Sequence, residues 1–526
     1  MRWIRFLACA LISFLIIAGG SLLPADSTTV IAQRNSDNPE TPSIPLPDSG
    51  FPSPGGSFED LFRTPGEQNE RAAFERDFRR ADVNRAVELF EQYQAKQFSK
   101  HLGLSSPART PTVTEISQSL SNLFQATGKK PALSYIVSLK DELHLILILP
   151  NSQRIVRTDP PAISLLTKTL KRILRQPESV DISQQPTLAP AQRVILRVTR
   201  PELQKVADEF RREVTSKGLL RPNSYKASAQ KLYQEFIAPL EPKLKANKID
   251  TLVVSADSGL RSIPVAALYD GNQFLIEKYS FALIPTFGLT SPRSRVNLQN
   301  AQLLAMGISQ RTENQQPLPA VAVELSTLSR ELWQGKTSTL LNEQSILDNL
   351  KSFSSRQRFG IVHFATHADF KPGKLSESYI QLWNAKLRLN QLRDLSRQLW
   401  SNTVDMLVLS ACKTALGDEQ AELGFAGLAV QGSVKTAVGS LWYVSDEGTL
   451  GLMSEFYSRL KTAPTKAEAL RQAQLAMLKG QVQESGGHLQ LSNQKRIPLP
   501  AEIANTGNNL THPYFWSGFT VIGNWN

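Results

Sequence analysis

Gly360-Ile361-Val362-His363-Phe364-Ala365-Thr366-His367-Ala368-Asp369 and Met406-Leu407-Val408-Leu409-Ser410-Ala411-Cys412-Lys413-Thr414 are the stretches on which the reading of this chain turns. Each is a short apolar run of the kind found in strands buried on both faces, and each leads to a chemically active side chain. The first runs out into His367. The second reads as a strand ending at Ser410, with Cys412 on the turn beyond it. Thr251 to Ala256, Phe281 to Pro285, Gln302 to Ile308 and Ala437 to Trp442 have the same strand character. Helical patterns lie between them, at about 225–246, 320–334, 344–353, 420–431, 447–461 and 465–479. This alternation predicts an α/β fold with a mostly parallel sheet covered by helices on both faces. Active groups in such sheets gather just beyond the carboxyl ends of the strands.

His367 and Cys412 would both emerge at that edge. Neighbouring strands lie ~5 Å apart, which brings imidazole and thiol close. A nearby imidazole helps generate the thiolate and later protonates a leaving amine. The bland alternative for Cys412 is a buried small hydrophobe, as free cysteine often is. His363 and His367 do not make a zinc pair, because four residues of strand cover ~13 Å while zinc bonds are ~2 Å. His363 is therefore read as structural, and no metal is expected. Glycines 424, 427, 432 and 439 lack the Lys-Ser/Thr of a phosphate loop, so no nucleotide or other cofactor is expected either.

At the other end, Arg2 and Arg5 precede the apolar run Phe6 to Leu23. Residues 1–32 read as a secretory signal peptide cleaved after Val30-Ile31-Ala32, with an uncleaved membrane anchor as the rival reading. The chain is expected to be exported, and to meet a membrane only through that segment. Its two cysteines are Cys9 and Cys412, so removal of the signal leaves one thiol and no internal disulfide. Residues 33–66 are a Pro/Ser/Gly-rich linker. Residues 67–222 form a small α/β or α+β module. It has helices over 67–103 and 113–126, a meander at Ala132 to Val137, Glu142 to Leu149 and Arg154 to Thr158, and helices at about 161–176 and 190–216. The net charge of +12 is spread out rather than concentrated, so no nucleic-acid partner is expected.

Residues 223–526 resemble the CHAT domain, a caspase-like domain often joined to tetratricopeptide repeats. The resemblance is carried by Leu260-Arg261-Ser262-Ile263-Pro264, His363 to His367, Leu409 to Thr414, Ser440-Leu441-Trp442 with Asp446, and His512-Pro513-Tyr514-Phe515-Trp516. The 45 residues from His367 to Cys412 are comparable with the ~50 of caspases. The resemblance implies a caspase-like sheet sandwiched by helices and a cysteine endopeptidase acting on a protein or peptide substrate. It implies His367 and Cys412 as the catalytic pair, with the backbone N–H groups of Ala368 and Cys412 holding the oxyanion. Ala368 stands where the family usually has glycine. Asp446 and Asp418 are candidates for an acidic specificity pocket, with a helix N-cap as the alternative role of Asp446. Caspase-like domains also serve as binding or scaffold modules, in which case residues 67–222 would bring a partner or gate the site.

Overall fold

The computed structural model describes residues 64–104, 109–151, 190–215, 223–290, 298–312, 315–400, 403–414 and 416–526, with the backbone alone at Cys412 and Gln431. The signal segment, the linker up to residue 63, the strand expected at Arg154 to Thr158 and the helix expected at 161–176 lie outside them.

Local signals start the first helices where the sequence suggests. Thr64 and Glu67 form a reciprocal capping box at the head of α1 (Pro65–Arg80). Asp82 caps α2 (Val83–Leu102), which ends on the left-handed Gly103. Thr112 and Glu115 repeat the capping box for α3 (Val113–Thr127). Three strands follow: β1 (Pro131–Ser138), β2 (Leu143–Ile148) and β3 (Ala191–Leu196). β3 lies where the sequence reads as the start of a helix over 190–216. Val194 and Ile195 are β-branched and pair with Leu145 and His144. The helix itself begins at Arg200, with Pro201 in its first turn.

The rest of the sheet is built from β4 (Thr251–Ala256), β5 (Ser280–Leu283), β6 (Leu303–Gly307), β7 (Thr337–Leu341), β8 (Ile361–Phe370), β9 (Tyr379–Gln381), β10 (Lys386–Arg388), β11 (Met406–Thr414) and β12 (Thr436–Ser440). A small three-stranded sheet, β13 (Gln483–Ser485), β14 (His488–Gln490) and β15 (Arg496–Pro498), stands apart. β16 (Phe519–Gly523) returns to the main sheet. That sheet has 13 strands in the order β10-β9-β8-β11-β12-β16-β5-β4-β1-β2-β3, with β6 and β7 added beside β8. Pairings β6–β7, β6–β8, β8–β11, β11–β12, β16–β5, β5–β4 and β4–β1 are parallel. The mostly parallel, helix-covered α/β architecture expected from the sequence is therefore what the chain has.

Two features were not legible. β16 runs antiparallel to β12 and parallel to β5, and so joins the two halves of the sheet. Residues read as a separate module over 67–222 share that sheet with the residues after 223, because β1 pairs with β4 from Pro131↔Thr251 to Ile136↔Ala256. The described residues form one compact unit. Tyr514, Phe515, Trp516 and Phe519 are buried in the core, as their aromatic character suggests.

A buried ion pair crosses between these segments. Arg71 of α1 makes two hydrogen bonds to Asp257, just after β4, at 3.0 and 2.6 Å, and a third to the Ser138 carbonyl at 2.6 Å. Burial raises the Asp257 carboxyl, but Arg71 outweighs it and holds the group at about 2. Removing one partner of such a pair leaves an uncompensated buried charge. Arg71→Ala is expected to cost about 3–5 kcal/mol of unfolding free energy in urea titrations. Arg79→Ala, which removes the exposed pair with Asp141, is expected to cost less than about 1 kcal/mol. Equal losses for the two variants would contradict the buried pairing.

Candidate active site

The site histidine owes its position to two neighbours of β8. Along its first half β8 pairs with β6, up to Ala365 opposite Gly307. β6 then ends, and the second half of β8 pairs with β9 at Ala368↔Ile380 and Asp369↔Tyr379. On its other side β8 pairs with β11 throughout: Ile361 to Phe364 lie opposite Met406 to Leu409, then Ala411↔His367 and Cys412↔Ala368. Between those two blocks β8 advances three residues while β11 advances two. Such a bulge re-aims the side chains beyond it. The two candidate residues thus occupy diagonal positions on adjacent parallel strands.

One expectation needs correction. The second strand does not stop at Ser410 with Cys412 on a turn; β11 continues to Thr414, and Cys412 sits within it. Pairing with the extended end of β8 sustains this extra length, and an apolar run alone does not reveal it.

His367 is half-buried. Its Nε2 lies 2.8 Å from the Gln316 carbonyl oxygen. A carbonyl only accepts, so this ring nitrogen carries the hydrogen, and in the neutral ring Nδ1 keeps a free lone pair. Burial pushes the imidazole below its ordinary value, opposed by the Gln316 bond and by Asp369. The ring is therefore neutral around pH 7. Tyr443 stacks on it, with ring centroids 5.8 Å apart and planes 30° apart. The Tyr443 hydroxyl donates to Asp446 Oδ1 at 2.7 Å, and the Ala320 N–H donates to Asp446 Oδ2 at 3.3 Å. Tyr443 is the site residue that the sequence reading missed; its spacing of three from Asp446 was the available signal.

The N-cap of the helix Asp446–Leu460 is Ser445, so Asp446 is that helix's first residue and serves Tyr443 and Ala320 instead. Asp418 lies elsewhere. It caps the helix Glu419–Ala426 by accepting from the Gln420 and Ala421 N–H groups. It also lines a cleft of about 610 Å³ shared with Tyr93, Gln97, His101, Lys374 and Glu419, to which Asp446 does not contribute. Ala368 is buried in regular strand, and its φ is not positive. Alanine in place of glycine therefore adds no backbone strain there.

Behind the strands, His363 is fully buried, with Nδ1 3.0 Å from the Tyr457 hydroxyl and Nε2 3.0 Å from Glu324 Oε1. Ser410 donates to Glu324 Oε2 at 3.4 Å. His363 and His367 thus serve different partners. Among the described residues no group of three or more His, Cys, Asp or Glu could hold a metal.

Burial raises Asp446 to about 6, helped by Glu447 and Glu324 and opposed by its two hydrogen bonds. The folded state therefore holds this proton where the unfolded chain, near 3.8, has lost it. The stabilising contribution is complete below about pH 3.8 and is lost as pH rises through about 6. Relative to Asp446→Asn, the wild type is expected to lose of order 2 kcal/mol between pH 4 and pH 7.5 in urea unfolding. Parallel stability curves for the two proteins would show that this carboxyl titrates normally.

Among solved structures, similarity is found to the Saccharomyces cerevisiae separase–securin complex at 10% identity and a TM-score of 0.39. That match covers 88% of this chain and 34% of the other, so the chain spans about a third of that relative. The complex of the pro- and mature domains of Porphyromonas gingivalis RgpB matches at 9% identity and a TM-score of 0.34, over 62% and 77% of the two chains. The Arg-specific cysteine proteinase gingipain R matches at 10% identity and 0.33, over 61% and 74%. No curated protein matches in sequence. The family model described as the CHAT domain matches residues 226–524, more than half of the chain and all of the candidate site, and the chain belongs to that family.

Proposed function

We propose that this chain is an exported caspase-like cysteine endopeptidase, with Cys412 as nucleophile and His367 as its proton-transfer partner. The observation that carries the reading is that His367 and Cys412 stand one register step apart on adjacent parallel strands, with Ala411 opposite His367 and Cys412 opposite Ala368. Successive strand positions alternate between the two faces of a sheet, so the proposed pair has to meet around the ends of these strands rather than on one face. The bond from His367 to the Gln316 carbonyl supports the reading, because it fixes the ring's tautomer and orientation before any substrate arrives, while burial keeps the imidazole neutral.

In this mechanism the thiolate of Cys412 attacks a peptide carbonyl carbon and the oxygen takes the negative charge. The backbone N–H groups of Ala368 and Cys412 hold that oxyanion. His367, protonated by the departing thiol hydrogen, returns the proton to the leaving amine. A thioester remains, and water attacks it to release the acid and restore the thiol. Asp446 would favour a basic side chain before the scissile bond, with Asp418 further away on the 610 Å³ cleft. No metal or other cofactor takes part. On the same reading, residues 1–32 direct export, the linker ends at residue 63 because α1 already begins at Pro65, and residues 67–222 are the surface for a protein partner.

One observation favours a second reading, a non-catalytic binding or scaffold protein. The β8–β11 ladder continues through Cys412↔Ala368 to Thr414↔Phe370, and strand pairing commits backbone groups that an oxyanion would need.

A peptide library presented to the purified chain separates the two. Turnover is expected for wild type, none for Cys412→Ala, and about 10²–10⁴-fold less for His367→Ala. Cleavage that survives Cys412→Ala removes this mechanism. Absence of cleavage together with unchanged partner capture by Cys412→Ala establishes the scaffold reading.

A further inference from the structure

We infer that Arg211, in the helix Arg200–Thr215 before the family-matched span, is a positioning residue for the loop that follows Cys412. This rests on the proposed hydrolase only in taking Cys412 as the reacting group. The link runs through Glu422, Ser262 and Gly417.

Glu422 lies in the helix Glu419–Ala426, which opens as the β11 loop ends, and it is 1% exposed. A carboxylate so buried must be fully satisfied. Its Oε2 accepts from the Gly259 N–H at 3.0 Å, and its Oε1 accepts from the Ser262 N–H at 3.1 Å and from the Ser262 hydroxyl. The balancing cation comes from Arg211, whose Nη2 lies 3.3 Å from Oε1 and also donates to the Gly259 carbonyl. Arg211 is itself 4% exposed and tied to Asp208 at 2.8 Å.

The same group reaches the loop directly. The Gly417 N–H donates to Ser262 Oγ at 3.1 Å, so the hydroxyl that serves Glu422 also holds the loop. Gly417 has a φ of +80°, and a Cβ placed on it would sit 3.1 Å from Arg211 Nη1. The loop turns where only glycine fits easily, against the guanidinium. Gly417 lies five positions after Cys412. The position of that backbone therefore depends on an arginine contributed by the N-terminal half of the chain, and Gly259 and Ser262 act as the relay.

Amide exchange of the full chain, read over residues 411–420, tests this. Arg211→Ala and Ser262→Ala are each expected to speed exchange of that segment about ten-fold, the loss of one or two buried hydrogen bonds. Exchange in the helix Lys466–Leu478 stays as in wild type. The rate at which iodoacetamide alkylates Cys412 in a Cys9→Ser chain changes by a similar factor, and Arg211→Lys restores part of both effects. Unchanged exchange over 411–420 overturns the inference. So does exchange that rises equally along the whole chain, which marks a merely structural arginine, or faster exchange with unaltered alkylation. If Arg211→Ala does not fold, Ser262→Ala, which removes one hydroxyl, decides. Neither readout needs peptide turnover, so a wild type that cleaves nothing would sink the hydrolase and leave this inference to its own result.

Discussion

Two carboxylates with almost no contact with water, Asp257 and Glu422, set the terms on which this chain folds. Neither lies in the first 215 residues, yet each finds its cation there, Asp257 in Arg71 and Glu422 in Arg211. A buried carboxylate without a cation and a full set of donors is strongly unfavourable. The loop from Asp257 to Ser262 is held from both sides as a result. The Ser258 and Ser138 N–H groups donate to Asp257, and the Gly259 and Ser262 N–H groups donate to Glu422. This loop contains the start of the Leu260 to Pro264 block that carries the family resemblance. The block makes physical sense as a relay between charged groups rather than as part of the reacting site.

The same dependence is written into the sheet. β4 would be an edge strand without β1, and an exposed, fully buried-type strand is an aggregation hazard that proteins cover. Here β1, β2 and β3 cover it in succession, and the boundary between the family-matched region and what precedes it runs through the middle of a hydrogen-bonded layer. At the other end, β8 is long because its neighbour changes halfway. β6 stops at Gly307, the Ile308 N–H still reaches Ala365, and the β9–β10 hairpin takes over. That exchange of partners lets β8 carry His367 past the end of β6 while keeping its backbone paired.

How far the sequence reached depends on the range of the interaction involved. Thr251 to Ala256 is legible to the residue, because a buried run between turn residues needs no long-range knowledge. The helices over 446–460 and 466–478 also fall within a residue of expectation, one of them started by Thr465 capping Glu468. That His367 and Cys412 belong to two buried strands of one sheet was legible, but that both strands run on past them, to Phe370 and Thr414, was not. Nor was the bulge between these strands, since nothing local marks Ala365 and Thr366 as the two residues that together face Ser410. β3 was misread because Gln192 to Leu196 suits a helix as well as a strand until β2 lies beside it. The contacts of Tyr443 with His367 and of Arg211 with Glu422 were invisible for the same reason: the partners are 76 and 211 residues apart.

What remains is why His367 is held so specifically, and the answer lies in nine residues. Gln316 supplies the carbonyl that fixes the ring's tautomer. Four residues on, Ala320 opens the helix Ala320–Thr327 and turns its N–H toward Asp446, where an unpaired donor at a helix start naturally meets a carboxyl group. Asp446 in turn accepts from Tyr443, which lies against the imidazole. One turn further, Glu324 stands between His363 of β8 and Ser410 of β11. A single short segment thus grips both site strands and the ring, through a carbonyl, a backbone donor and a buried acid. A shift of this segment would move all three contacts together. Orientation of His367 is therefore a property of the packing of this helix on the sheet, and no side chain in β8 alone determines it.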